Sequence, residues 1–451
     1  MACRIPGGIL TYPDELFTAE RSREMLLLGR DTVHFNFRKT FAKPPLQYWL
    51  TTLSLPHFSN PSVAVRIWPV IYGLLTAVAV GWLAWLLDPK RPWLIPLSVA
   101  IYVSCPLFAT EATRALLDTG LTLFVTLAIG FAELARRNPA WWLGVAVVCW
   151  LGALQKIPLI FLIWLIIVIV RLIEPSERAS LRNLWLPVSV LLATLLVSLW
   201  PVWQFLQHGM PLTRAFAGDD LPGLLGRGHL GARPYFEVLD GLVASGWAGG
   251  SFALIAAALF LKRAPNRGVR EIAVIALMVV TLAILFNFRS VRYVLPIVPG
   301  LSLVLAFALY YLLERPSGMR RLTAVFAGLL IVGGFVQAAI KMHHRAAEPV
   351  AELRAAQRLG QLQSPDTRMI LLDGAGKNRQ LRSIAFYLFH GNLRFPIRRR
   401  SFEELGEEGL EKPPIGVCTT RDLPRLLSIY PNATTEKLEG SIVCWRATTA
   451  P

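Results

Sequence analysis

The sequence predicts an α-helical polytopic membrane protein with a small C-terminal α/β domain. Three observations carry that reading. Of 451 residues, 54% are hydrophobic and only 17% charged, too little charge to cover a soluble protein of this length. The apolar residues gather into long runs such as Ile157–Val170 and Leu322–Ile340, close to the ~20 helical residues that cross a hydrocarbon core. After residue 341 these runs stop. The short apolar patches Met369–Leu372, Ile415–Cys418 and Ile442–Trp445 then read as strands between helical pieces.

The apolar runs predict ten spans, at about 64–87, 92–110, 117–136, 139–154, 157–174, 184–206, 241–261, 270–287, 291–313 and 321–341. The pair at 139–154 and 157–174 is short and closely spaced. Residues 1–341 therefore form a membrane domain whose first external loop covers 12–63, and 342–451 form a soluble domain. Within the first loop, Glu15–Leu28 reads as an amphipathic helix closed by Gly29. Met1–Pro13 has no apolar core, so no cleavable signal peptide is visible.

Charge fixes the expected orientation. With the N-terminal segment outside, the inside connections are Asp88–Arg91, Arg136–Asn138, Arg171–Asn183, Lys262–Glu271 and Glu314–Arg321, which carry fourteen Lys and Arg. The outside connections of the bundle carry six, although one of them, Gln207–Asp240, is much longer. Basic residues favour the cytoplasmic side, so the first loop and the C-terminal domain are expected outside the cytoplasmic membrane. Basic cytoplasmic loops also account for the net charge of +17, and nucleic acid is not expected as a partner. Cys105 and Cys149 fall in apolar spans as small buried residues. Cys418 and Cys444 fall in the C-terminal domain and, if exported, could form a disulfide.

This topology puts one set of polar residues at a single membrane face: Asp14, Glu15, Lys43, Asp118, Lys156, Asp219, Asp220, His229, Arg289, Arg292 and Tyr293. Charges at the margin of a span are costly unless they face a cavity or a partner. Carboxylates and cations together suit an anionic lipid headgroup and an acid–base reaction. Each residue also has a plainer reading. Asp14 and Asp118 could be N-caps of the helices that follow them. Lys43 could be an interfacial snorkelling lysine, Lys156 an ordinary loop lysine, and the rest solvated loop residues.

The local sequence shifts the balance. Pro13-Asp14-Glu15, then Ala19-Glu20 and Arg23-Glu24-Met25, then Lys43-Pro44-Pro45-Leu46-Gln47-Tyr48-Trp49-Leu50 and Ala64-Val65-Arg66, resemble the first external loop of C-type (GT-C) glycosyltransferases. These are the polyprenyl-phosphate-sugar-dependent enzymes that include lipid A aminoarabinose transferases and protein O-mannosyltransferases. The resemblance continues at Leu117-Asp118-Thr119-Gly120, Gln155-Lys156-Ile157-Pro158 and Arg292-Tyr293-Val294-Leu295-Pro296, and covers most of 12–341.

The resemblance implies a GT-C-like fold and an inverting transfer of sugar from a polyprenyl-phosphate donor to a hydroxyl on a lipid, glycan or protein acceptor. Asp14 matches the proposed base and Asp118 a second acid of the site. Lys43, Lys156, Arg292 and Tyr293 match groups that meet the lipid phosphate, a role for which a guanidinium fork is well suited. Glu15, Arg289, Asp219, Asp220 and His229 are candidate substrate-binding residues. The departures are Ala42, where the aminoarabinose branch has an acid that helps hold a metal, and Phe17, where it has an arginine. No cofactor is firmly expected, and a divalent metal is left open. The family has a spanning helix ahead of the Asp-Glu motif, so an in-frame upstream segment of roughly 20 apolar residues is expected. The alternatives are a non-catalytic lipid-phosphate-binding or lipid-flipping protein, and a family member that has lost activity.

Overall fold

The structure is a computed structural model. It describes residues 10, 12–35, 38–41, 43–156, 159–209, 247–285, 291–314, 316–345, 358, 368–372, 397–400, 414–438 and 442–447. The chain opens on α1 (Pro13–Leu28), a two-stranded hairpin of β1 (His34–Phe35) and β2 (Arg38–Lys39), and α2 (Leu46–Ser54). The bundle follows with α3 (Pro61–Leu87), α4 (Leu94–Ser104), α5 (Pro106–Glu111), α6 (Leu117–Ala135), α7 (Trp142–Gln155), α8 (Leu159–Ile173), the short α9 (Arg178–Leu181) and α10 (Trp185–His208). Helices Ala248–Arg263, Arg267–Leu285, Val298–Leu313 and Ser317–Arg345 complete it, with a 3-10 segment at Val291–Ile297.

Wherever its residues are described, each expected span coincides with helix; 157–158, 241–246 and 286–287 lie outside the described residues. Six helical stretches are individually long and apolar enough to cross a membrane: Pro61–Leu87, Leu117–Ala135, Trp185–His208, Arg267–Leu285, Arg292–Leu313 and Gly318–Met342. Leu94–Ser104, Pro139–Gln155 and Leu159–Ile173 are shorter apolar helices. The expected span at 92–110 is two helices rather than one, because Pro106 cannot donate a backbone hydrogen bond and the chain turns extended at Cys105. The last long helix packs against this break. A Cβ at Gly334 would collide with the Ser104 carbonyl oxygen, so only glycine fits there. Outward-facing Val78, Leu191, Leu322, Leu329 and Val332 are exposed, an apolar surface too extensive for water. The protein is a multi-pass membrane protein.

α1 departs from the amphipathic helix expected of it. Glu15, Leu16, Thr18, Ala19, Glu20, Ser22, Arg23, Glu24 and Met25 are all buried, so the helix is enclosed on most sides and four of its charges, Glu15, Glu20, Arg23 and Glu24, are internal. Gly29 does end it, at φ 117° with its N–H on the Met25 carbonyl. The helix is anchored by Glu15, whose carboxylate takes Arg66 Nε at 2.8 Å, Arg66 Nη2 at 3.1 Å and the Ala115 N–H at 3.1 Å. The Thr18 hydroxyl also donates to the Ala115 carbonyl at 2.9 Å. These contacts join α1, α3 and the lead-in to α6.

At the C-terminal end, β3 (Arg368–Leu372), β4 (Ile397–Arg400), β5 (Pro414–Thr419), β6 (Thr434–Lys437) and β7 (Ile442–Arg446) form one sheet in the order β4-β3-β5-β7-β6. β3 runs parallel to β4 and β5, while β7 is antiparallel to β5 and β6. Helix Leu423–Ile429 covers one face, where Cys418, Leu426, Tyr430, Val443 and Trp445 form a core.

The possible Cys418–Cys444 disulfide is not made. Cys418 stands opposite Val443 and Cys444 opposite Val417, so the two thiols point to opposite faces of the sheet and both are free. Burial pushes both thiols up to about 12. Because the thiolate is the reactive species, neither cysteine should be alkylated in the folded protein, and both should react together once it unfolds. Mass spectrometry of iodoacetamide-treated protein, with and without denaturant, reads this out. Loss of both thiols under non-reducing denaturation would show a disulfide instead.

Candidate active site

Two helix starts face each other across the site. Pro13 opens α1 and Leu117 opens α6, which makes Asp14 and Asp118 the second residue of each helix. Neither acts as an N-cap. That position belongs to Tyr12 and Leu116, and neither helix has a side-chain cap. The plainer reading of both aspartates is thereby replaced, and their carboxylates are turned to cations from elsewhere in the chain.

Asp14 Oδ2 pairs with Arg292 Nη1. Asp118 Oδ1 pairs with Lys156 Nζ at 2.6 Å, an ion pair that is largely buried. The Tyr293 ring connects the two pairs. Lys156 Nζ lies 4.7 Å from its centroid, and the Arg292 guanidinium carbon 5.5 Å from it. The result is a continuous chain of contacts, Asp14–Arg292–Tyr293–Lys156–Asp118, drawn from four separate parts of the sequence. Lys43 lies in the lead-in to α2, immediately before Pro44-Pro45.

The structure adds residues that sequence reasoning missed. The Tyr12 ring neighbours two guanidinium groups, with Arg114 at 4.5 Å and Arg292 at 5.7 Å from its centroid. Arg114 is held in turn by Glu111 at 2.7 Å. Tyr12 sits two residues before Asp14, in a segment read only for its Asp-Glu pair. Glu15, a candidate for substrate binding, is buried and occupied by Arg66 and Ala115, so it ties the framework together rather than facing a ligand. Asp219, Asp220, His229 and Arg289 lie outside the described residues. Among the described residues, no three His, Cys, Asp or Glu side chains gather as metal ligands would. Asp14 and Asp118 each hold a cationic side chain instead.

Three kinds of similarity bear on this arrangement. The family described as dolichyl-phosphate-mannose-protein mannosyltransferase matches residues 42–203. The undecaprenyl phosphate-alpha-4-amino-4-deoxy-L-arabinose arabinosyl transferase of Edwardsiella ictaluri is 32% identical over 54% of this chain and 48% of its own length. That of Pectobacterium carotovorum is 29% identical over 54% and 47%. The chain thus spans about half the length of the curated relatives it matches. Among solved structures, ArnT from Cupriavidus metallidurans bound to undecaprenyl phosphate superposes with a TM-score of 0.77 at 15% identity, covering 99% of this chain and 95% of that one. The Archaeoglobus fulgidus oligosaccharyltransferase superposes at 0.59 and 11% identity, covering 92% and 66%.

The fold is therefore the one that ArnT and, at a lower score, the oligosaccharyltransferase share. Over 54% of its length the chain is also similar in sequence to the aminoarabinose transferase of Edwardsiella ictaluri.

Proposed function

We propose that the protein is an inverting glycosyltransferase that moves a sugar from a polyprenyl phosphate to an acceptor hydroxyl. The observation that carries this reading is the Asp14–Arg292–Tyr293–Lys156–Asp118 chain, which sets carboxylates and cations side by side at one end of a membrane bundle. In the transfer, the acceptor oxygen attacks the anomeric carbon while Asp14 takes its proton. The bond from that carbon to the phosphate oxygen breaks, and the polyprenyl phosphate leaves with the negative charge. Lys156, Arg292 and Lys43 offset that charge as it develops.

Arg292 and Lys156 rest on the two aspartates. An arriving phosphate offers both cations a more highly charged acceptor, and its capture of Arg292 frees Asp14 to meet the acceptor hydroxyl. No step is assigned to a metal. The site faces the extracytoplasmic side in this reading. The positive-inside rule supports that orientation, because the basic connections lie at the other end of the helices.

The test is transfer itself. Purified protein in nanodiscs, given undecaprenyl-phosphate-linked aminoarabinose or hexose and a lipid A, glycan or peptide acceptor, should release undecaprenyl phosphate and glycosylate one of them. Tight binding of undecaprenyl phosphate with no transfer from any donor would favour the lipid-phosphate-binding alternative, which needs the cations but not Asp14.

A further inference from the structure

Gln155 has no part in the transfer scheme, yet it is fully buried at the edge of the site. It is the last residue of α7 and directly precedes Lys156. Its Nε2 donates to Gln47 Oε1 at 3.2 Å and to the Leu117 carbonyl at 3.1 Å. Leu117 directly precedes Asp118. Gln47, also fully buried, is the second residue of α2, four positions after Lys43. A single side-chain amide therefore links the residues that precede Lys156 and Asp118 to the start of α2, four positions after Lys43.

Its fit is close. A Cβ at Gly120 would stand 2.5 Å from Gln155 Nε2 and 2.7 Å from its Cδ, so glycine at this point of Asp118-Thr119-Gly120 makes room for the amide. Gln47 is itself held, its backbone carbonyl accepting from the Thr51 hydroxyl at 2.9 Å. Gln155 Oε1 is buried without a hydrogen-bond partner among the described residues. An orphaned buried acceptor costs stability that an apolar contact of the same shape would not. The bridge is therefore a poor way to hold α2, α6 and α7 together and a good way to fix their spacing.

We propose that Gln155 is a positioning residue: through Gln47 and Leu117 it sets the separation of Lys156, Asp118 and the Lys43 segment, and so acts on turnover rather than on folding. The proposal rests on the glycosyl-transfer reading above. A displacement of about 1 Å in a catalytic constellation can cost on the order of 10²-fold in rate.

Four proteins test it: wild type, Q155L, Q47L and Q47L/Q155L, each purified in nanodiscs and measured for thermal midpoint, donor KM and kcat. Q155L should lower kcat about 10–100-fold and change KM much less. In Q47L/Q155L both amides become apolar, so the midpoint should return toward wild type while kcat stays low. Recovery of kcat together with the midpoint would make the bridge a merely structural feature and overturn the proposal. If Q155L alone does not accumulate, the double variant supplies the same comparison.

A second readout does not depend on transfer. K156M removes the Lys156–Asp118 pair and should lower the thermal midpoint in wild type by more than it does in Q155L, where the pair is already displaced. Equal drops in both backgrounds would overturn the positioning role. Unequal drops in a protein that transfers no sugar would retain the bridge and reject the transferase reading.

Discussion

Asp14→Asn is expected to fold, insert and bind undecaprenyl phosphate, and to transfer sugar slower by on the order of 10²–10⁴-fold. The size of the loss follows from chemistry. An amide of the same shape cannot take the proton of the acceptor hydroxyl. The stability effect is expected to be small because the Asp14 side chain is 40% exposed. An ion pair that open to solvent is worth roughly 0–1 kcal/mol, and the helix itself is unaffected because Asp14 does not cap it. The rate and stability effects therefore separate widely. Thermal midpoints and single-turnover rates of wild type and variant in the same nanodiscs would show both. Full activity in Asp14→Asn would remove Asp14 from the mechanism and make Asp118 the candidate base.

Much of this site was legible in the sequence because the relevant signals are local. Asp14, Lys43, Asp118, Lys156 and Arg292 each stand at the margin of a helix, next to prolines or apolar runs that mark the boundary. The partners of these residues were not legible. Arg66 meets Glu15 across 51 positions and Arg292 meets Asp14 across 278, separations that only the tertiary fold closes. One misreading had a signal in hand. Pro13 favours the first position inside a helix, which already places Asp14 second rather than at the cap.

The same logic explains the C-terminal sheet. The three apolar patches became β3, β5 and β7, which are interior strands. The two missed strands, β4 with its Ile397-Arg398-Arg399-Arg400 run and the exposed β6, are the two edges, where charged and polar residues blunt unwanted pairing. A search for apolar strands finds the middle of a sheet and passes over its rims. α1 failed in the opposite direction. Its buried Glu20, Arg23 and Glu24 look like a solvated face, because charge in a sequence is ordinarily charge at a surface.

Glu271→Gln is expected to destabilise the bundle by about 3–5 kcal/mol. Glu271 lies at the far end of the helices from Asp14, a distance of about 28 Å along the 19 residues of α6 at the usual helical rise. Its carboxylate takes Arg171 Nε at 2.8 Å, Arg171 Nη2 at 3.0 Å and Arg136 Nη2 at 2.7 Å. Arg136 keeps Glu133 and Glu177 when Glu271 is neutralised. Arg171 keeps only the electrostatic influence of Glu177, with which it forms no ion pair among the described residues. It is wholly buried, and its other fixed contacts are the Ala132 carbonyl and the Trp142 ring. An amide in place of Glu271 leaves that buried guanidinium without an ion-pair partner, and the cost is the penalty of the stranded cation rather than the worth of the pair. Replacing both partners removes the stranded charge, so Arg171→Met with Glu271→Leu should recover most of the loss. Thermal unfolding of wild type, Glu271→Gln and the double variant in one detergent gives the comparison. A double variant as unstable as Glu271→Gln would mean that the cluster stabilises the bundle by its own attraction and not merely by avoiding an unpaired charge.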